Sequence, residues 1–464
     1  MTATSPDVVF DPELVVRYGG RGPRYTSYPT ALQFSEALTV DDYRRQAEAS
    51  NSTDVPLSLY VHIPFCHSLC YYCGCNKIVT RNAVRVDAYM RNLYREIELQ
   101  SALFDRARTV EQLHFGGGTP TYLDESQLRD LMARIGESFT LDSSDEREFS
   151  IEVDPRTVDE DGIRLLAELG FNRLSLGVQD FESDVQKAVN RLQSAEDVET
   201  LTAAARATGF GSISYDLIYG LPLQTVESFD RTLSRVIELR PDRLAVYNYA
   251  HLPQRFKGQR MIREEDIPSP DTKLEILRTT IERLCAEGYI YIGMDHFALP
   301  DDELVRARYD GTLQRNFQGY STHRQCDLVA LGVSGIGSIG NMFAQNSLTT
   351  MEYEGILEQN RLPIRKGILV DDDDLRRAAV IQSLMCYDSL DFDRLGAEQQ
   401  VDFRTYFARE IERLEPLADD ELIDLDGNGV RITAKGRLLL RSIAMVFDRY
   451  IDQQQNDNRF SKTI

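Results

Sequence analysis

LSLYVHIPFCHSLCYYCGCNK, residues 57–77, joins an apolar run that reads as a buried strand to a loop holding Cys66, Cys70, Cys73 and Cys75. Four of the seven cysteines in the chain fall within 66–75. Cysteines that serve as small core hydrophobes have no reason to crowd one loop, so the concentration points to a metal. A structural zinc site usually draws two separated ligand pairs, and Cys285, Cys326 and Cys386 stand alone. Three thiolates on one short loop suit three corners of an iron-sulfur cube whose fourth iron stays open to a substrate. Cys75 could close the cube, although one intervening residue makes it awkward for Cys73 and Cys75 to cap separate corners. On spacing alone, zinc and a disulfide stay open beside the cluster.

Beyond the loop, strand-like runs alternate with amphipathic stretches. The strand-like runs are VEQLHFGGG (110–118), EFSIEVDP (148–155), RLSLGVQD (173–180), SISYDLIYGL (212–221), RLAVYNYA (243–250) and YIYIGMDHFA (289–298). Helical patterns lie near 86–104, 125–139, 160–169, 182–208, 225–239 and 270–287. Six or more such units imply an α/β fold with a parallel sheet, whose functional side chains stand at the strand C-termini. Polar residues do fall there: Gly116 to Thr119, Glu152 and Asp154, Gln179 and Asp180, Asp216, then Asn248 and Ala250. Any one of these reads as an ordinary loop hydrogen-bonder. Five sites in register read as a site.

The pattern changes from about residue 366. DDDDLRRAAVIQSLMCY has an acidic start suited to a helix N-terminus, and DFRTYFAREIERLEPL reads as a second helix. DELIDLDGNGVRITAKGRLLLRSIAMVF reads as a hairpin turning at Asp426 to Gly429 and entering a last helix, which makes a compact helical, winged-helix-like module.

The 464 residues allow a large principal domain with an appendage. No stretch reads as a secretory signal or a membrane span, and scattered cysteines with no even framework suit a reducing compartment, so the expected location is cytoplasmic. A formal net charge of −22 argues against nucleic-acid binding. Two acid-free segments stand out against it: 14–35, with Arg17, Arg21 and Arg24, and 55–86, with Lys77, Arg81 and Arg85. They suggest a polyanionic small ligand, the plain alternative being pairing with the many carboxylates. Gly335-x-Gly337-x-x-Gly340 matches a dinucleotide-binding pattern literally, but NMFAQNSLTTM after it is a poor helix and the motif closes the series instead of opening it. Among the histidines, His62 reads as a core residue, while His251 and His296 follow strand ends.

At CHSLCYYCGCNK the sequence resembles radical S-adenosylmethionine (SAM) enzymes, and further segments resemble their oxygen-independent coproporphyrinogen III oxidase family. These include PRYTSYPTALQFSE (23–36), LHFGGGTPTYL (113–123), SIEVDPR (150–156), DLIYGLPLQT (216–225), NYAHLP (248–253), GMDHFALPDDEL (293–304), RNFQGY (315–320) and TAKGRLLLR (433–441), so that nearly the whole chain is covered. The resemblance implies a partial (β/α)6 TIM-like barrel over 55–365, a substrate-covering arm over 1–54 and the C-terminal helical domain over 366–464. It implies a 4Fe-4S cluster on Cys66, Cys70 and Cys73, with one SAM at the open iron beside Tyr60, Gly117, Glu152, Ala250 and Ile336. A second SAM would lie against Tyr72, Gly118, Thr119, Gln179, Arg191 and Asp216. Position 72 is Tyr where relatives can carry Phe, and Ile336 inside the glycine pattern suggests that those glycines make room for an adenosine. The implied reaction is anaerobic oxidative decarboxylation of two propionates of coproporphyrinogen III to vinyl groups in haem biosynthesis. A cytoplasmic monomer reduced by flavodoxin or ferredoxin is expected, with no membrane or nucleic-acid partner. The alternative is a haem chaperone of the same superfamily, which lacks the CGC cysteine and the PRYTSYPT arm.

Overall fold

The computed structural model describes residues 8–323 and 326–451, which form two compact units. One comprises the described parts of 33–269 and 325–369; the other draws on 1–32, 270–324 and 370–464. No described helix is long and apolar enough to cross a membrane.

The first unit is built on an open sheet. Its strands are β1 (Leu57–Ile63), β2 (Thr109–Gly117), β3 (Glu148–Val153), β4 (Arg173–Gln179), β5 (Ser212–Tyr219), β6 (Arg243–Asn248), β7 (Asp327–Leu331), β8 (Ile336–Ile339), β9 (Met342–Asn346) and β10 (Ile364–Leu369). The spatial order is β6-β5-β4-β3-β2-β1-β7-β8-β9-β10. Neighbours among the first six strands run parallel, and β7 also runs parallel to β1 before the sheet turns antiparallel through β8, β9 and β10. The sheet does not close, so the α/β architecture is that of a partial barrel.

β1 lies in the interior of this sheet, and its composition shows why. Leu57, Leu59, Val61 and Ile63 are all 0% exposed, each contributing about 1.5–3 kcal/mol by leaving water. Near-continuous apolar residues are what a strand covered on both faces requires. Helices α1 (Ala83–Ser101), α2 (Glu125–Ser138), α3 (Glu160–Glu168), α4 (Ala195–Ala207) and α5 (Val226–Leu239) connect successive strands. Each begins at a residue whose side chain accepts a first-turn amide: Asn82, Asp124, Asp159, Ser194 and Thr225. Crossover connections of this kind bring the C-terminal ends of all six strands to one edge.

Gly335, Gly337 and Gly340 belong to the β8–β9 hairpin, with no helix behind them. The dinucleotide reading therefore fails on topology. A side chain at Gly337 would meet the Leu328 carbonyl oxygen at 2.7 Å, and one at Gly335 the Ala330 Cβ at 3.1 Å. Gly335 and Gly337 thus allow β7 and its neighbours to pack closely.

The second unit has its own core around Phe392, Phe403, Phe407 and Phe447. After α6 (Thr350–Leu357) of the first unit come α7 (Asp372–Tyr387), capped by Asp371, and α8 (Ala408–Asp419). Strands Ile423–Leu425 and Gly429–Ile432 form the anticipated hairpin, and Ser389–Asp391 adds a third strand. Asp426 accepts the amides of Asn428 and Gly429 at 2.7 and 3.0 Å, which fixes the turn. Two sequence readings change here. The stretch 289–298 is not one strand: Ile290–Gly293 and His296–Ala298 pair antiparallel around Met294, whose φ is +56°. The helix expected from Asp402 breaks at Phe407 into Phe403–Tyr406 and α8.

Candidate functional site

The cysteines occupy the connection from β1 to α1. Phe65–Cys66 pairs in parallel with Ile78–Val79 and so closes 66–77 into a loop. Tyr71 N donates to Val189 O at 2.9 Å, Asn190 Nδ2 to Leu69 O at 2.8 Å, and Gln259 Nε2 to Tyr72 O at 2.9 Å. The loop is thus tied to the segments that follow β4 and β6. His62 is buried, as a core histidine should be, yet it also bridges: its Nδ1 lies 3.0 Å from Tyr60 Oη and its Nε2 2.9 Å from Asn76 O.

Cys66, Cys70, Cys73 and Cys75 line one cavity of about 360 Å³, a size typical of small-molecule sites. Of the residues the sequence pointed to, Tyr72, Gly117, Gly118, Thr119, Glu152 and Gln179 share that wall, as do Arg191 and Asp216. Tyr60, Ala250 and Ile336 do not. Tyr60 stacks on His114 behind the wall, with ring centroids 5.8 Å apart; Ala250 is exposed and its carbonyl accepts Gln259 Nε2 at 3.2 Å; Ile336 opens β8. Asp180 is another strand-end candidate, but it is buried among Thr232, Gln224 and Glu182 N. Burial pushes its carboxyl up to about 6.

The wall has features that suit a bulky sulfur-bound group. Gly117 has φ +117°, and a Cβ there would meet the His62 ring at 2.7 Å; one at Gly118 would meet the backbone of Pro64 at 2.7 Å. Only glycine lets the β2 end pass so close to the cysteine loop. Donors are aimed at the sulfurs. Thr119 Oγ1 is 3.5 Å from Cys66 Sγ, Cys75 N is 3.4 Å from Cys73 Sγ, and Arg156 Nη2 and Arg191 Nη1 are each 3.5 Å from Cys70 Sγ. Three thiolates from one loop, each met by a hydrogen-bond donor, are what a 4Fe-4S cubane takes at three of its corners. The donor set fits the cluster.

Electrostatics divide the wall. Burial pushes the Cys66 thiol up to about 11, while the hydrogen bond from Cys75, helped by the Lys77 charge, brings Cys73 down to about 6 against its burial. Asp216 is raised to about 7 by burial and by the nearby Glu152, and Ser175 Oγ donates to its Oδ2 at 3.1 Å. Glu152 Oε2 accepts Gly117 N at 3.1 Å, with His114 Nε2 3.3 Å from Oε1. Burial works to raise Asp154, but the hydrogen bond from Arg156 and the charge of Arg191 hold it below the usual carboxylate range.

Sequence reasoning passed over Arg156 and Ser175 as site residues. Ser175 was within reach of the strand period, since 175, 177 and 179 share one face of β4. Arg156 lies past the end of β3, where no period applies. The N-terminal basic segment resolves differently: Arg17 Nη1 pairs with Asp420 at 2.7 Å and Arg24 pairs with Asp295. Two of its three arginines are therefore engaged with carboxylates, as the plain alternative had it.

Comparison with known proteins bears on this geometry. Residues 60–236 match the radical SAM superfamily, and residues 370–439 match the HemN C-terminal domain. The oxygen-independent coproporphyrinogen III oxidase of Pseudomonas aeruginosa is 53% identical over 455 residues, covering 98% of this chain and 99% of that protein. The Escherichia coli protein of the same name is 49% identical, with 98% of each covered. A solved structure of Escherichia coli coproporphyrinogen III oxidase (HemN), described as a radical SAM enzyme, superposes with a TM-score of 0.91 at 49% identity over 96% of this chain and 100% of that one.

Proposed function

The chain belongs to the oxygen-independent coproporphyrinogen III oxidase family of the radical SAM superfamily, and from that premise we infer that it converts two propionates of coproporphyrinogen III to vinyl groups, giving protoporphyrinogen IX. The observation that carries the reading is the cavity itself, where three cysteines from one loop face a glycine cradle and the ends of β2 to β5. Cys66, Cys70 and Cys73 would hold a 4Fe-4S cluster, with SAM bound beside it. When bound, cluster and SAM together supply a carbon-centred radical able to take hydrogen from an unactivated position.

The chain's own residues bind and orient. Gly117 and Gly118 keep side chains out of the space in front of the cysteines, so a ligand can approach the backbone. Glu152, fixed by Gly117 N and His114, presents a positioned carboxylate suited to the cationic methionyl end of SAM. Tyr60 would support that carboxylate from behind through His114, with Ala250 and Ile336 flanking the same ligand. Tyr72, Thr119, Gln179, Arg191 and Asp216 would take a second SAM; Asp216, poised near neutrality, can accept from a ribose hydroxyl when ionised.

We also propose a low-potential one-electron donor such as flavodoxin or ferredoxin, a cytoplasmic setting and a monomeric enzyme. Thiols that must stay free to hold a cluster suit a reducing compartment. The test is an oxygen-free assay of reconstituted protein with SAM, a reductant, an electron acceptor and coproporphyrinogen III. Vinyl products with matching methionine release are expected; methionine release with no vinyl product would overturn the substrate.

A further inference from the structure

The three sulfurs are not surrounded alike. Cys66 faces a neutral hydroxyl and Cys73 a backbone amide with the single Lys77 ammonium held nearby on Cys73 O, but Cys70 Sγ faces two guanidinium groups, Arg156 Nη2 and Arg191 Nη1, each at 3.5 Å. Both arginines are held by one carboxylate: Asp154 Oδ2 lies 2.7 Å from Arg156 Nη2 and 3.0 Å from Arg191 Nη1, and Oδ1 takes Arg156 Nε at 2.9 Å. Arg191 Nη2 also donates to Gly177 O, which locks its plane. Asp154 and Arg191 are 9% and 7% exposed, and Cys70 is 8% exposed. Two cations and one anion leave one net positive charge against Cys70, partly screened by water because the Arg156 side chain is 23% exposed. Burying that excess costs free energy unless something negative offsets it, and the cysteine thiolate is the anion nearest to hand.

We propose that Arg156 and Arg191, oriented by Asp154, set the reduction potential of the cluster through Cys70. This rests on the cluster reading above. The step concerned takes one electron from a low-potential donor, dithionite in the test, into the oxidised cluster and leaves its charge more negative by one. Positive charge and N–H donors at a ligand sulfur stabilise that reduced state and raise the potential. The triad is a tuning device: Asp154 fixes how the arginines point and subtracts part of their charge. Arg156 is a positioning residue in this scheme, since it reaches the cluster only through the cysteine.

Anaerobic redox titration of the reconstituted protein with dithionite, followed by the electron paramagnetic resonance signal of the reduced cluster, tests it with no turnover. Arg156→Gln, which removes a charge, should move the midpoint to more negative potential. Arg156→Lys, which keeps the charge but loses the planar fork, should stay nearer to wild type. Asp154→Asn, which removes the negative member, should move the midpoint the opposite way. Opposed shifts at full iron and sulfide content support the proposal. Unchanged midpoints, shifts of the same sign in R156Q and D154N, or loss of iron without a shift would overturn it and leave the triad as scaffolding. Wild-type protein that takes up no iron would instead refute the cluster reading itself.

Discussion

Glu96 offers a sharp test of the packing behind the site. It sits in α1, 0% exposed, and none of its described hydrogen-bond partners is a cation. Its Oε2 accepts Gly332 N at 2.6 Å and Tyr353 Oη at 2.5 Å, and its Oε1 accepts Asn346 Nδ2 at 2.7 Å. Burial outweighs these three donors and raises the carboxyl from 4.5 to about 7. A tenfold change in proton affinity is worth about 1.36 kcal/mol, so the full shift is worth about 3 kcal/mol. The sign follows from which state holds the proton. The folded protein binds it more tightly than the unfolded chain, so this stability is fully present below pH 4.5 and is lost as pH rises through about 7. Between pH 5.5 and 8 the loss from this group amounts to about 2 kcal/mol. Glu96→Gln removes the proton-linked part while keeping the size. It will be less stable than wild type at pH 5.5, by about 1–3 kcal/mol, because an amide cannot accept from all three donors, and the deficit will shrink as pH rises. Urea unfolding followed by tyrosine fluorescence, convenient in a chain with 22 Tyr and no Trp, reads both proteins across this range. A stability difference between them that stays flat from pH 5.5 to 8 would refute the reasoning.

Arg108 Nη2 meets Asp327 Oδ2 at 2.6 Å with side chains 5% and 10% exposed, so Arg108→Met strands a buried carboxylate and should cost about 3–5 kcal/mol in urea unfolding; adding Asp327→Asn should recover part of it. Gly118→Ala places a Cβ 2.7 Å from the Pro64 backbone, which cannot yield like a flexible side chain; a stability loss of about 1–3 kcal/mol is expected, with SAM binding by equilibrium dialysis weakened in step. Arg17 and Asp420 lie at the surface, 60% and 24% exposed, and Arg17→Ala should leave the thermal midpoint where it is, because exposed pairs contribute little.

Much of the fold was legible because it is written in short-range patterns. Runs such as LSLYVHIPF and SISYDLIYGL are apolar over the length of a strand, capping residues precede the helices that follow, and the six parallel strands lie where those signals placed them. The misreadings arise where a local signal is weaker than a tertiary one. YIYIGMDHFA has strand composition throughout, but Met294 takes a left-handed conformation, with Tyr291 Oη donating to its carbonyl at 2.6 Å, and the run folds back on itself. In DFRTYFAREIERL, Phe407 turns into the phenylalanine core and interrupts the helix. At the site, the cysteine loop and the strand ends were readable from spacing. The partners that finish it were not: Arg191 reaches Cys70 from 121 residues away, and Arg24 finds Asp295 across the chain. Such pairs leave no trace in a local window, so the sequence left open whether the basic segment was free or paired, and two of its arginines are committed to carboxylates.

The central claim is that the three-cysteine loop runs radical chemistry on a porphyrinogen, and Cys70→Ser tests it most directly. Iron content and oxygen-free conversion of coproporphyrinogen III should be measured on wild type and variant prepared side by side. Wild type is expected to hold a cluster and form protoporphyrinogen IX, and the variant to lose both. A variant that keeps its iron and turns over like wild type would contradict the account.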